Sequence, residues 1–478
     1  MARAYDVKDL EYWDARIREK VEEFGLSCFP QEFEICDHTQ MLGYMAYHGM
    51  PSHYPHWSYG KAYERLKTLY DHGMTGLPYE MVINSDPCLA YLVNENSLCL
   101  QILTIAHVYG HNDFFRNNFT FRSTHPELVI RAFKARADRV RSYIEDPSIG
   151  LEKVDAVLDA AHALSLQCRR NPAIRKLSRE EQRARAIEAA EPPPDPYRQI
   201  HKRVERADPD LERVPLEPEE DLLLFIRDHN RRLSEWEKDL LTIVHEESQY
   251  FIPQIETKIM NEGWATYWHR QIMNSLDLPQ DIYLEFLVRH NQVVQPIPGD
   301  INPYCLGLGI WEDIRRRYDE SAADDFESSG GTPAKSGLEK LFEVREVDRD
   351  VSFLRRFLTK DLVRELGLFE YAPRDDALIV TKVPSDEEWQ DIKQTLLRQV
   401  GMGGVPVIRI VDADYNHRGE LHLTHEHDGR DLQLEHAEKT LAHLYRLWDR
   451  PVHLETVVDG EACMLSHDAD GFRLKEID

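Results

Sequence analysis

The chain has 478 residues, 42% of them hydrophobic and 10% aromatic, and carries a formal net charge of −27. That length exceeds one ordinary hydrophobic core and predicts two or three domains. The charge argues against nucleic acid or an anionic membrane as a general partner, and no apolar run of about 18 residues is available to cross a bilayer.

The opening stretch MARAYDVKDLEYWDAR has neither an apolar signal core nor a small-residue cleavage site, so a cytoplasmic protein is expected. Seven cysteines (Cys28, Cys36, Cys88, Cys99, Cys168, Cys305 and Cys463) are scattered and form no CxxC pair. That is the usage of reduced thiols, and it argues against a cysteine-built zinc site.

In chain order, residues 1–168 read as helical. DLEYWDARIREKVEEFGL is amphipathic. SYGKAYERLKTLYDHG follows and ends at Gly73, where a left-handed residue closes a helix. CLAYLVNENSLCLQILTIAHVYGHNDFF gives a long third pattern, and ELVIRAFKARADRVRSYIED and GLEKVDAVLDAAHALSL add two more. Residues 169–218 change character: charge is dense, PPPDP sits at 192–196, and apolar residues are few. A charged linker or surface excursion, partly mobile, is expected there.

Helical pattern returns over 219–319 in DLLLFIRDHN, SEWEKDLLTIVHEESQYF and IETKIMNEGWATYWHRQIMNSL. The acidic, Gly/Ser-rich stretch 320–337 predicts a flexible loop. From about residue 365 the apolar period shifts towards two. FEYAPRDDALIVTKV, VPVIRIVDADYNHRGELHLTHEHDG and PVHLETVVDGEACMLSHDADG predict strands and hairpins, with the helix LEHAEKTLAHLYRLW among them. The expected fold class is mainly α: 1–168 and 219–319 form one large helical domain, and 338–478 form a small α+β domain.

Chemistry concentrates in two helices. In AHVYGHND, His107 and His111 stand one helical turn apart, with Cβ atoms about 5–6 Å from one another. Both lie on an apolar stripe with Val93, Asn96, Leu100 and Leu103. Two neutral imidazoles so placed can share one metal ion, or they can be core histidines satisfied by hydrogen bonds. Asp113 reads as a polar residue at the helix end. In TKIMNEGWATYWH, Glu262 sits among Ile259, Met260, Trp264 and Ala265 and needs a partner there. Lys258 at i−4 offers an ion pair, and His269 at i+7 shares the face. Gly263 costs about 1 kcal/mol relative to alanine inside a helix, which close approach of another group would offset. Upstream, HEESQYFIPQ places His245, Glu246 and Glu247 before Pro253, where a new helix and a bend are expected. Asn261 adds a polar group to the same wall.

An HxxxH helix combined with a glutamate in an EGWAxY context resembles the gluzincin metallohydrolases, which hold zinc with two histidines of one helix and a glutamate of a second. The resemblance implies a zincin-like helical domain and a divalent metal, zinc first, with iron or manganese as alternatives. Its ligands would be His107, His111 and Glu262. Val108 stands where those enzymes carry a glutamate base. Glu247 is the expected substitute, because a carboxylate near a metal site can take a proton from water.

Longer segments, PSHYPHWSYGKAYERLK, YEMVINSDPC, IAHVYGHNDFFRNN and FIPQIETKIMNEGWATYWH, resemble the SpoVR family (stage V sporulation protein R), from about residue 5 to the C-terminus. That resemblance implies a link to the spore cortex, a peptidoglycan layer, or to stress and stationary phase in bacteria that do not sporulate. It also implies a PrkA-type serine protein kinase and a von Willebrand-like companion as partners. Two functions are in view: a metal-dependent hydrolase of amidase or peptidase type, and a metal-binding scaffold without chemistry that works with the kinase.

Other polar clusters have plainer readings. His53 and His56 either line a pocket mouth or sit in a loop held by aromatic packing. Glu80, in YEMVINSDPC, is a reserve ligand or base, or a cap for the next helix. DADYNHRGE reads as a hairpin turn rather than a calcium loop, because its sixth position is not glycine. The histidines of HLTHEHDG are expected to be solvated. No P-loop, GxGxxG or GxSxG motif occurs.

Overall fold

A computed structural model describes the chain except for residues 1–4, 73, 75–77, 79, 170–174, 191–209, 298, 330–334, 375–376, 383–384, 386–387 and 478. The elements run α1 (Val7–Glu23), β1 (Gln31–Cys36), α2 (His38–Ala46), α3 (Trp57–Asp71), β2 (Glu80–Ile83), β3 (Cys88–Val93), α4 (Leu98–Asn117), α5 (Val129–Glu145) and α6 (Leu151–Leu164). Next come α7 (Arg179–Ala190), α8 (Leu222–His229), α9 (Glu235–Glu256), α10 (Lys258–Ser275), α11 (Gln280–Val293), α12 (Pro303–Ser329), α13 (Gly337–Val347), α14 (Asp350–Phe357) and α15 (Lys360–Glu365). The chain ends with β4 (Glu370–Arg374), β5 (Ala377–Lys382), α16 (Trp389–Gln399), β6 (Ile408–Tyr415), β7 (Glu420–His425), α17 (Leu434–Trp448), β8 (Val452–Val458), β9 (Glu461–Asp468) and β10 (Gly471–Glu476). The protein is therefore mainly helical, with a small sheet-bearing C-terminal part. Among the described residues, no helix is long and apolar enough to cross a membrane. None of the seven cysteines, all among the described residues, is in a disulfide.

Two compact units emerge, each from two stretches of chain: residues 1–141 with 249–404, and residues 142–248 with 405–478. The division falls at 404/405 rather than near 338, and 142–248 go with the C-terminal sheet. The reason is non-local pairing. Glu219 bridges to Ile410 at the edge of β6, Ala413 N donates to Val214 O at 2.7 Å, and α17 packs on α6. The sheet of this second unit has the order β10-β9-β8-β7-β6. Leu441, Leu444 and Leu447 of α17 are buried with Leu421, Leu423, Val452 and Leu454 of the sheet. DADYNHRGE forms the β6–β7 turn, with Asn416, His417 and Gly419 at positive φ. His422 and His425, expected in solvent, are buried because β7 is an inner strand with a neighbour on each side.

The first unit is built around α10, which is buried along most of its length and contacts both α4 and α12. Glycines set these approaches. A Cβ at Gly110 of α4 would lie 2.5 Å from Ala265 Cα, and one at Gly263 would fall on the Gly307 backbone of α12. The helix-interior glycine of EGWA is thus explained by backbone contact.

Three local expectations change in this unit. The long pattern from Cys88 splits into strand β3 and helix α4, because Asn94–Ser97 turn the chain and Ser97 Oγ accepts from Leu100 N. β3 joins β1 and β2 in a three-stranded sheet of order β1-β3-β2. The stretch expected as a loop from 320 continues α12 to Ser329, since no glycine or proline intervenes before Gly330. Pro253 lies inside α9 rather than starting a new helix, and the break comes at Thr257, whose Oγ1 donates to Pro253 O at 2.7 Å. The start of α10 is closed by the Asp350 carboxylate, which accepts from Ile259 N and Met260 N, both at 2.9 Å. In the expected linker, residues 179–190 form α7, and PPPDP lies outside the described residues, as does Gly73.

Candidate metal centre

α4 and α10 lie side by side, and their facing turns carry the polar groups. His107 and His111 project from one face of α4, ring centroids 4.6 Å apart and nearly perpendicular at 85°. α10 brings Glu262 opposite them: its Oε2 lies 3.6 Å from His107 Nε2 and 3.4 Å from His111 Nε2. A second carboxylate arrives from β2, with Glu80 Oε1 at 3.8 Å from His107 Nε2. Glu80, His107 and His111 each offer a ligand atom within 4.8 Å of the others.

These separations exceed the 2.7–3.2 Å of ordinary N–H···O bonds. His107 Nε2 and Glu262 Oε2 are both buried without a hydrogen-bond partner. Buried polar atoms normally find partners, so these two make the cluster the candidate position for a ligand. Two imidazole nitrogens with carboxylate oxygens form the donor set that zinc takes.

The rings are held from behind. His111 Nδ1 lies 2.9 Å from Asn261 Oδ1, an oxygen that only accepts, so Nδ1 donates and Nε2 is the nitrogen turned to the carboxylates. His107 Nδ1 lies 2.9 Å from His269 Nδ1, and His269 Nε2 lies 2.9 Å from His290 Nδ1 on α11. Burial pushes His290 down to about 4, and burial with His107 pushes His269 well below the ordinary histidine value. The carboxylates diverge. Burial would raise Glu262, but His111 and His107 outweigh it and hold the group well below the usual carboxylate range. Burial raises Glu80, with His107 and His111 opposing.

Glu262 therefore faces the histidines, while Lys258 is exposed. Asp113 is part of a structural lock: both its oxygens lie 2.8 Å from Arg345 Nη1, and Trp264 Nε1 donates to Oδ2 at 2.9 Å. Glu247 is buried on α9 within the other unit, and the carboxylate that joins Glu262 at the histidines is Glu80. Glu246 is exposed, and His245 Nε2 lies 2.8 Å from Asp221 Oδ2. His53 sits among Tyr47, Tyr54, Tyr59 and Phe133, and His56 Nδ1 accepts from Ser58 N at the start of α3. Both are outside the His107–His111 cluster.

Sequence reasoning passed over His290 altogether and gave Glu80 only a reserve role. The available signal for Glu80 was EMVI, a short β-prone run; for His290 it was a lone histidine at i+4 from Phe286 in the mixed run QDIYLEFLVRHNQV.

A cavity of about 410 Å³ adjoins the cluster. Glu80, His107 and His269 form its polar end, and Leu103, Tyr304 and Ile297 contribute apolar surface.

Fold and site define a mainly helical protein whose central helix pair gathers two imidazoles and two carboxylates beside a cavity. The chain belongs to the SpoVR family: the family described as SpoVR like protein matches residues 4–405, and the SpoVR-like C-terminal domain matches 406–459. The junction between the two matches, at 405/406, lies one residue from the break between the compact units at 404/405. A relative, the uncharacterized protein YcgB of Escherichia coli (strain K12), is 33% identical over 466 residues, covering 93% of this chain and 91% of its own. No solved structure matches the chain.

Proposed function

We propose that the protein is a metal-dependent hydrolase of amidase or peptidase type, holding a divalent cation, zinc first, through His107, His111 and Glu262 in the manner of gluzincin metallohydrolases. The observation that carries this reading is the convergence of buried, unpartnered His107 Nε2 and Glu262 Oε2 on one point. When bound, the cation supplies Lewis-acid polarisation of a carbonyl and makes water acidic near neutral pH.

The surrounding residues divide the remaining work. Glu262, held low by two histidines, stays ionised and binds. Glu80, raised by burial, is the proton acceptor in place of Glu247, because its carboxylate faces the same point. The pair follows the pattern of two carboxyl groups pushed apart by their surroundings. Asn261 and His269 orient the imidazoles.

The cavity narrows the substrate. Its described lining includes Gln292 and Gln295 but no lysine or arginine, so among the described residues no side-chain cation adds to the proposed metal in holding a phosphate or carboxylate. An uncharged amide with apolar flanks suits this wall, which agrees with a peptide or cell-wall-related substrate. Metal analysis of the freshly purified full chain tests the reading, with His107→Ala and Glu262→Ala as controls. About one equivalent of zinc is expected in the wild type and far less in both variants; a wild type that neither retains nor takes up zinc overturns it.

Val108 favours a second reading. It is fully buried, so α4 itself offers no base at the usual place. In this version the centre is a structural metal site in a scaffold that works with a PrkA-type serine kinase and its von Willebrand-like companion. Capture of that kinase by the full chain, unchanged in Glu80→Gln, together with no amide turnover by the wild type, would favour the scaffold.

A further inference from the structure

The three imidazoles His107, His269 and His290 form an unbroken line from the cluster to α11, with links of 2.9 Å and 2.9 Å. All three are buried, at 3%, 1% and 6% exposure. Metal-binding histidines ordinarily donate their second nitrogen to a carboxylate, a carbonyl or water. Here the partner is another imidazole, which can either donate or accept.

That difference restricts the protons. Each link needs one N–H and one lone pair, so three neutral rings have only two self-consistent orders. In the outward order, His107 Nδ1–H donates to His269 Nδ1, His269 Nε2–H donates to His290 Nδ1, and the last proton rests on His290 Nε2. His107 Nε2 is then a free lone pair. In the inward order, His290 Nδ1–H donates to His269 Nε2, His269 Nδ1–H donates to His107 Nδ1, and His107 Nε2 carries a proton towards Glu262 and Glu80.

We propose that His269 and His290 are positioning residues acting as a two-ring relay, which fixes the metal-accepting tautomer of His107 and registers occupancy of the centre at α11. The proposal rests on the metal reading above. Passing from the inward to the outward order, His107 Nε2 gives its proton to Glu80 or water. His107 Nδ1 takes one from His269, His269 Nε2 takes one from His290 Nδ1, and His290 Nε2 takes one from water. Each ring loses one N–H bond and forms one, so no ring becomes charged. A cation on His107 Nε2 is compatible only with the outward order. The relay thus links the centre to the helix whose C-terminal end, with Gln292 and Val293, walls the cavity.

The test is long-range ¹H–¹⁵N spectroscopy of the full-length, histidine-labelled protein, with zinc alone as the probe. Zinc is expected to perturb His107 and His111 and to leave His290 in the Nε2–H tautomer. Zinc that perturbs His111 while His290 stays in the Nδ1–H tautomer overturns the relay alone. Zinc that perturbs neither ligand histidine overturns the centre and the relay with it. Affinity provides a second readout: His290→Phe should weaken zinc binding about 10–100-fold, whereas His290→Gln, whose Oε1 can accept from His269, should stay within a few-fold of wild type. Equal affinities in the two variants overturn the relay.

Discussion

The two units each carry histidines facing carboxylates, and the two sets are built differently. In the second unit, strand register makes pairs. His422 lies beside His453 in the parallel β7–β8 pairing. His453 Nε2 is 3.1 Å from Glu420 Oε2 with Nδ1 2.9 Å from Ser466 Oγ, His422 Nε2 is 3.0 Å from Glu455 Oε1, and His425 Nδ1 is 2.9 Å from Thr456 Oγ1. His453 and His425 are hydrogen-bonded, and His422 is ion-paired at 3.0 Å although its Nε2 makes no hydrogen bond. In the first unit, an i, i+4 step stacks two rings over one carboxylate of a neighbouring helix, and no pair closes to less than 3.4 Å. A sheet face sets side chains opposite one another singly, whereas two crossing helices converge several on one point. Histidine content alone therefore does not set the two clusters apart; the separations do, at 3.4–3.8 Å in the first unit and 3.0–3.1 Å between ring and carboxylate in the second.

The largest effect expected from this contrast is catalytic. Glu80→Gln should lower turnover of any amide substrate found for the wild type by about 10²–10⁴-fold, with zinc affinity nearly unchanged; equal turnover would remove Glu80 from its role. Next in size is zinc affinity itself. His111→Ala should weaken zinc binding by more than the roughly 100-fold typical of losing an outer contact, while His453→Ala and His422→Ala leave it at the wild-type value in the same calorimetric titration. Zinc lost on substitution in the sheet would break the comparison.

Stability reverses the order of the two sets. His453→Ala leaves buried Glu420 without that partner and should cost about 1–3 kcal/mol in denaturant unfolding of the full chain. Because Arg418 and Asn416 also approach Glu420, the lower half of that range is expected. The smallest effect is pH-linked. Burial pushes the Asp350 carboxyl, at the start of α10, up to about 7, against its two amide donors. Its folded value thus lies above the unfolded one, so its contribution is present below about 4, where both states are protonated. That contribution is lost as pH rises through about 7, because only the unfolded chain ionises freely in between. Asp350→Asn should flatten that part of a stability–pH curve; an unchanged slope would assign it to other groups.

Much of this was legible in the sequence because the governing signals are local. The HxxxH step and the EGWA glycine announce themselves within one helix, and period-two runs marked β6 to β9. Other features depend on distance in the chain. Glu80 opens a strand of only four residues, too short for its period to register, and its site partners come from α4 and α10. The pairing of 142–248 with the C-terminal sheet rests on backbone bonds between residues near 214–219 and β6, which no window of sequence reveals. The helix through Ser329 was hidden by composition: acidic and serine residues resemble a loop until the absence of a breaker is weighed. Pro253 misled in the opposite direction, since a proline inside α9 displaced the break only to Thr257.

The closure of α10 by Asp350 also bears on synthesis. Every proposed ligand and the acceptor Glu80 precede residue 263, yet the carboxylate that caps Ile259 lies 91 positions further on. Arg345, which locks Asp113 of α4, emerges at nearly the same time. In a nascent chain the proposed ligands are therefore made well before the residues that clamp α4 and α10. On the proposed metal reading, the oriented site is complete only once α13 and α14 have packed against α4 and α10.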